Sequence, residues 1–364
     1  MRPELALPAA FLLAALTTFA TTPWAIRLAL RASFLDRPAG YKGHGRPTPY
    51  LGGAAIAAGV AVSALAFGGG THAFAVIAGC SLALSALGTV DDHRNLSPLL
   101  RVIVEVGVAL VLWSTGHGWE VLGSGPADAT LTVLWVVGIV NAFNLMDNMN
   151  GAAATTAGIS ALGAGALALA DGQPALAGLC LAVAGACAGF LPYNLARPSR
   201  IFMGDGGSML LGALVASVTM AAAMAGDLHA AGVVGAALLA GLAILDTTLV
   251  TVSRRRGGRA LLSGGRDHLT HRLHGRLGSP ERVTLALAGG QAGLCVVAVA
   301  CAQAGPGWLL GAAVLAAGAG MWAIKRLDSP AWHGPAAQRP LVPEPAPGVS
   351  NHTALAPEIA RAPA

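Results

Sequence analysis

Charge is what this 364-residue chain has least of: Asp, Glu, Lys and Arg together make up 11% of it, against 55% hydrophobic residues. A soluble domain carries about a quarter charged residues, so that scarcity excludes an ordinary water-soluble fold. The mean hydropathy of +0.65 points the same way. The strict apolar–polar alternation of a membrane β-barrel is also missing, and no internal repeat is visible. The five cysteines, Cys80, Cys180, Cys187, Cys295 and Cys301, show no metal-ligand spacing. They lie in or beside apolar stretches, where a thiol acts as a small core residue.

What the chain does have is long apolar runs. A run of about 18 residues or more is long enough to cross a bilayer. Such runs are expected near 6–29, 51–68, 73–90, 97–115, 129–146, 152–170, 174–192, 207–225, 230–252, 283–303 and 308–324. The expected fold is therefore all-α, a polytopic transmembrane helix bundle of about eleven spans over 1–326. A Pro/Ala-rich cytoplasmic tail over 327–364 reads as disordered. The first span is too long for a secretory leader and runs directly into Arg27 and Arg31, so it reads as a retained helix. Gly and Ala richness suits close helix packing in lipid.

A second absence sets the orientation. With eleven alternating spans, all 22 Lys and Arg except Arg2 fall on one side of the bundle. The opposite loops hold His72, His117, Glu120, Asp128, Asp171, Asp227 and His229, but no Lys or Arg. By the positive-inside rule the basic face is cytoplasmic, with the N-terminus outside and the C-terminus inside the plasma (inner) membrane. The net charge of +5 then reflects topology and anionic lipid or substrate, and is no argument for nucleic acid.

Ionisable groups at membrane spans are functional candidates by default. Five segments far apart in sequence bring theirs to the same expected face: DRPAGYKGHGRPTPYLGG after the first span, DDHRNLSP after the third, NAFNLMDNMNG at the end of the fifth, FMGDGGSMLLG before the eighth, and GGRDHLTHRLHGRLG after the ninth. Each also has a plainer reading. Asp91 and Asp92 could cap the next helix together with Asn95 or Ser97 before Pro98. The loop of Asp267, His268 and His271 could be a basic membrane-surface segment. For Asp205, the glycines on both sides and the helix N-terminus that follows favour a ligand. In NAFNLMDNMNG the polar residues Asn141, Asn144, Asp147 and Asn150 recur every third position. On a helix that spacing forms a slanting staircase over the last turn of the span. Taken together, carboxylates and amide oxygens suit Mg²⁺, and arginines and histidines suit phosphate oxygens. An adjoining apolar body suits a lipid whose head group sits at the interface.

In this order, the segments resemble the polyprenyl-phosphate N-acetylhexosamine-1-phosphate transferase family, over about residues 30–280. The resemblance implies an enzyme that moves a sugar-1-phosphate from a UDP-N-acetylhexosamine to polyprenyl (undecaprenyl) phosphate and releases UMP, at the first membrane step of a cell-envelope polysaccharide. It implies Asp91 and Asp92 as an acidic pair handling the acceptor phosphate or its proton. Mg²⁺, with Mn²⁺ as a substitute, would be held by Asp205 and Asn144. Asn150 would hold uridine, with Asp147 lining the same catalytic pocket. His268, His271 and Arg266 would contact the donor diphosphate, and Arg101 the acceptor phosphate. Lys42 and His44 match the family's first cytoplasmic loop. A homodimer is compatible with it.

Three departures narrow the donor: Asn150 stands where an aspartate is common, Thr270 replaces a middle histidine, and HRN follows the acidic pair. They favour UDP-GlcNAc or a related N-acetylhexosamine over UDP-MurNAc-pentapeptide. Asp246, set inside the ninth span, matches a recurring family position and could equally partner a nearby Arg. The rival from another class is a secondary transporter, whose site would lie near the midplane on broken helices.

Overall fold

A computed structural model describes residues 3–36, 47–67, 72–226, 228–260, 265–329 and 332. Lys42, His44 and nearly all of the expected tail lie outside the described residues. In chain order the elements are α1 (Pro3–Arg31), β1 (Leu35–Asp36), β2 (Thr48–Pro49), α2 (Gly52–Phe67), α3 (His72–Arg94), α4 (Pro98–Ser114), α5 (Gly125–Met146), α6 (Ala152–Ala170), α7 (Pro174–Asn194), α8 (Asp205–Met224), α9 (Ala231–Leu239), α10 (Gly241–Arg256), α11 (Leu269–Leu277), α12 (Pro280–Ala304) and α13 (Pro306–Leu327). The two short strands pair antiparallel, with Leu35 opposite Pro49 and Asp36 opposite Thr48.

The eleven expected spans correspond to eight full-length apolar helices, one bent pair (α9 with α10) and two shorter helices. The shorter ones are α2, with 16 residues, and α4, with 17. At 1.5 Å per residue they reach only about 24–26 Å, against a hydrocarbon core of about 30 Å. Helix starts follow the sequence closely. Pro98 and Pro280 stand at the first helical turn, where their missing N–H is not needed. Ser97 and Ser279 cap those helices, accepting from the backbone N–H of Leu100 and Arg282 at 3.3 Å each.

The bundle is built around α8, which is buried along nearly its whole length. Around it pack α3, α5, α6, α2 and α9, with α1 and α7 behind them. On the outside, α12 and α13 expose Leu285, Val296, Trp308, Val314, Leu315 and Trp322. Such a surface is stable against hydrocarbon, where an apolar side chain loses nothing by exposure.

One expected span is broken. Instead of a single helix over 230–252, α9 and α10 meet at Ala240 and turn by 82°. A break inside an apolar bundle frees backbone groups that water cannot reach. Gln291 of α12 supplies the partners: its amide nitrogen Nε2 donates to the carbonyl of Leu239 at 2.8 Å, and its Oε1 accepts from the N–H of Leu242 at 3.0 Å. Gln291 is fully buried, so this side chain holds the bend. Gln291→Leu is expected to lower stability by about 1–3 kcal/mol by leaving those groups unpaired; thermal unfolding of the detergent-solubilised protein measures it.

Candidate active site

The segment 201–204 enters α8 as extended chain beside 49–53, with Phe202 N–H donating to Pro49 O at 2.8 Å and Gly53 N–H to Met203 O at 3.0 Å. Gly204 makes the turn into the helix at φ +75°, a conformation that favours glycine. The helix then starts inside protein, where its first N–H groups need an acceptor. Asp92, from the end of α3, is that acceptor. Its Oδ1 takes the Asp205 N–H at 3.0 Å and its Oδ2 the Gly206 N–H at 3.2 Å. The two helices can come this close because Gly88 has no side chain: a Cβ there would stand 2.4 Å from the Asp205 carbonyl oxygen.

Arg101, near the start of α4, ties the neighbouring polar groups together. Its Nη1 lies 2.7 Å from Asp91 Oδ2 and 3.6 Å from Asp205 Oδ2, and its Nη2 donates to Asn144 Oδ1 at 2.9 Å. Asn144 in turn donates to Asp205 Oδ1 and to Ser208 Oγ, each at 3.0 Å. Asp91 divides its two oxygens: Oδ1 accepts from the N–H of Leu96 at 2.6 Å and so holds the α3–α4 turn, while Oδ2 accepts from Arg101. The side chain of Asp91 is only 6% exposed and that of Asp205 37%, so Asp205 is the more open to a ligand. One turn further along α4, buried Glu105 accepts from Asn141 Nδ2 at 2.5 Å, and its other oxygen has no partner among the described residues. Glu105 is thus a buried acid within a helix, as Asp246 is. Glu105 was visible as an acid one helical turn after Arg101 inside an apolar run.

The stretch NAFNLMDNMNG is helical only in its first half. Asn141 and Asn144 lie on α5, Asp147 caps its C-terminus, and Asn150 lies in the turn beyond. The staircase therefore stops at Asp147. Beyond the turn, Gly151 leads into α6 at φ +81°, with its N–H taken by Asn194 Oδ1 at 2.6 Å. The Asp147 carboxyl has no hydrogen bond recorded from the described residues. Burial, and then the Asp205 and Asp92 carboxylates beside it, push it well above the ordinary carboxylate range. Next to it, Asn148 accepts a short hydrogen bond from the buried Thr270 hydroxyl. The threonine that stands in the histidine motif is thus what joins α11 to the end of α5. The sequence pattern singled out neither Asn148 nor Ser208.

The histidine motif opens α11. Fully buried Asp246, on α10, meets His268 Nδ1 at 2.9 Å and accepts the Leu269 N–H at 2.6 Å. Its partner is therefore a histidine and a backbone amide, not an arginine. The His268 and His271 rings stand 6.1 Å apart. Burial, then the positive fields of His268 and Arg266, lower His271 to about 4, so it is a neutral imidazole at neutral pH. Arg266 is exposed beside them. Asp267 points the other way, between Arg254 at 2.8 Å and Arg259 at 3.1 Å. Its burial would raise the carboxyl, but the Arg254 hydrogen bond and the two guanidinium charges outweigh that and hold it below the usual range.

A divalent cation fits this donor set. Four carboxyl groups lie together: Asp91 and Asp205 against the Arg101 guanidinium, and Asp92 and Asp147 beside Asp205. That leaves negative charge in excess in a partly dry place, which a cation relieves. No closed cluster of three or more His, Cys, Asp or Glu occurs among the described residues. Such openness suits Mg²⁺, which takes one or two carboxylates and completes its shell from phosphates and water. Asp205 and Asp147 are the carboxylates open to it. Asn144 could join only by releasing its carbonyl oxygen from Arg101.

These features define a class: a polytopic membrane enzyme whose charged residues, drawn from several helix ends, gather at one end of the bundle. Residues 74–223 match the family described as glycosyl transferase family 4. The chain is 31% identical over 275 residues to the probable undecaprenyl-phosphate N-acetylglucosaminyl 1-phosphate transferase of Bacillus subtilis, covering 72% of this chain and 76% of that one. It is 34% identical over 303 residues to the decaprenyl-phosphate N-acetylglucosaminephosphotransferase of Mycolicibacterium smegmatis, covering 72% and 74%. To the undecaprenyl-phosphate alpha-N-acetylglucosaminyl 1-phosphate transferase of Yersinia pestis it is 28% identical over 262 residues, covering 67% and 70%. The chain belongs to glycosyl transferase family 4 and is an integral membrane sugar-phosphate transferase.

Asp267→Asn should destabilise the fold by about 3–5 kcal/mol, because it leaves buried Arg254 without its counter-charge. Since the folded state holds Asp267 below its unfolded value, its contribution is present above about pH 4 and is lost as pH falls further. Unfolding measured from pH 7 down to pH 3 should show the wild type losing stability over that range and the variant losing less.

Proposed function

We propose that this protein transfers an N-acetylhexosamine-1-phosphate, GlcNAc-1-phosphate foremost, from a UDP-sugar to polyprenyl phosphate with release of UMP. The reaction takes place at the cytoplasmic face and requires Mg²⁺. It starts the assembly of a cell-envelope polysaccharide on its lipid carrier. The observation that carries this reading is the cluster of four aspartates around Arg101, with the histidine motif held beside it through Thr270 and Asn148. Positioning and charge neutralisation are most of what phosphoryl transfer needs. The names of the relatives support the acceptor and the sugar, and the positive-inside distribution supports the face.

The roles then follow from which groups are already engaged. Asp92 is committed to the start of α8, and Asp91 to Arg101 and the α3–α4 turn. Asp147 is the carboxylate left uncommitted, and burial beside Asp205 and Asp92 raises its affinity for a proton, which suits a general base. It takes the proton of the acceptor phosphate as that oxygen attacks the sugar-linked phosphorus of the donor, and UMP leaves. Arg101 sits where it can exchange carboxylate oxygens for phosphate oxygens. Asp205, with Asp147 beside it, would hold Mg²⁺, which supplies neutralisation of the diphosphate. Asn150 offers an amide for the uracil edge, and His268, His271 and Arg266 face the diphosphate. Lys42 and His44, which match the family's first cytoplasmic loop, are assigned to substrate binding.

A donor panel on purified protein tests the reaction: UDP-GlcNAc, other UDP-N-acetylhexosamines and UDP-MurNAc-pentapeptide, each with polyprenyl phosphate and Mg²⁺. UDP-GlcNAc should form a lipid-linked sugar phosphate, and failure with every donor overturns the reading. Asp205→Asn should abolish turnover, and near-normal turnover at limiting Mg²⁺ would remove its metal role. Asp147→Asn should lower kcat by about 10²–10⁴-fold while UMP binding persists. A rapid-quench search for a phosphorylated enzyme without acceptor separates proton abstraction from covalent catalysis.

A further inference from the structure

Asp246 has no assigned part in the reaction, yet it is a fully buried carboxyl group in a membrane helix. Such a group persists only where its oxygens are satisfied. Both are, and by consecutive residues of one element: His268 Nδ1 lies 2.9 Å from Oδ2, and the Leu269 N–H meets Oδ1 at 2.6 Å. We propose that Asp246 is a positioning residue for donor binding: it fixes the ring plane and the tautomer of His268, so that Nε2 is the nitrogen presented to the donor phosphates. The inference rests on the reading of this site as the one that binds a UDP-sugar.

A backbone amide can only donate, so Oδ1 is an acceptor. With a carboxylate at Asp246, Oδ2 accepts as well, and the ring proton that faces it belongs on Nδ1. Nε2 is then left without a hydrogen bond among the described residues, although the His268 side chain is only 6% exposed. Capping α11 does not by itself call for a buried acid, because a Ser, Thr or Asn side chain takes a terminal N–H equally well. The carboxylate is required by the ring. Histidines that bind metals are oriented in the same way by a carboxylate on the far nitrogen.

Two further contacts make this a device rather than an isolated pair. The 82° turn between α9 and α10, held by Gln291, directs α10 toward α11. On the other side of His268, the Thr270 hydroxyl is bonded to Asn148 beside Asp147. The start of α11 is thus clamped from α10 and from the α5–α6 turn at once. A ring fixed at Nδ1 on a helix start that is itself clamped from two sides keeps its geometry when the donor arrives, which is where electrostatic binding gains most from preorganisation.

The test compares full-length wild type, Asp246→Asn, His268→Ala and the double variant, each in nanodiscs. Asparagine keeps an oxygen for the Leu269 N–H but turns an N–H donor toward Nδ1, which moves the ring proton to Nε2. We expect ¹⁵N spectra of labelled histidine to show His268 changing from the Nδ1–H to the Nε2–H form, with the melting temperature kept. KM for UDP-GlcNAc should rise about 10-fold or more, the scale on which removal of such orienting partners is felt, with a smaller change in kcat. Adding Asp246→Asn to His268→Ala should change nothing further, because both act on one ring. An unchanged tautomer, a wild-type KM despite a changed tautomer, or additive effects of the two substitutions would each overturn the proposal. If wild type turns over no UDP-sugar, the reading of the reaction fails instead. The histidine spectra then reduce Asp246 to a clamp on α11 without a role toward a donor.

Discussion

A helix that begins inside a protein exposes N–H groups that neither its own turns nor water can satisfy. In this bundle α8 begins in that way, and the carboxylate of Asp92 closes two of those groups at 3.0 and 3.2 Å. The arrangement around it depends on that contact. It sets α3 against α8 at a separation only Gly88 permits, and it fixes where the Asp205 side chain leaves the helix. Asn144 and Ser208 then meet Asp205 from α5 and α8, and Arg101 comes in from α4 to balance the charge. An aspartate that the sequence suggests for chemistry turns out to organise the start of α8.

The electrostatics of the cluster follow from the same geometry. One guanidinium faces several carboxyl groups, and it is shared among them rather than paired with one. The result is an excess of negative charge among neighbouring carboxyl groups. Asp147 feels that excess most plainly, since neighbouring Asp205 and Asp92 add to burial in holding its proton. On the other side of the site the balance is reversed. Arg254 and Arg259 are neutralised by Asp267, and His271 is kept uncharged by burial and nearby positive groups. Acidic and basic halves therefore face each other across the end of α5, bridged by Asn148 and Thr270.

The loop after the ninth span is built more firmly than its exposed, basic sequence suggests. Arg272 reaches across to Asp328 and to the carbonyl of Leu327 at the end of α13, and Arg276 lies over the ring of Trp332 at 4.5 Å. With Asp246 at its start, α11 is held at both ends. Several of the arginines that looked like a membrane-surface patch are instead internal struts.

Much of the molecule could be read from the chain itself. Apolar runs too long for anything but a bilayer determined the helices, and Pro and Ser before α4 and α12 determined where two of them begin, because these signals act within a few residues. Four of the five polar motifs named residues that do come together among the described residues: Asp91 and Asp92, Asn144 and Asp147, Asp205, and the segment of His268 and Thr270. Tertiary structure decided what those residues do to one another. Whether Asp91 pairs with Arg101, whether Asp246 meets an arginine or His268, and whether 230–252 runs straight or turns at Ala240 depend on side chains that arrive from other helices. Gln291 lies 49 residues beyond the Leu242 N–H that it closes, and no local pattern records that distance. Hydrophobic length and charge position are properties of a segment, whereas a hydrogen-bond partner in a dry interior is a property of the packed whole.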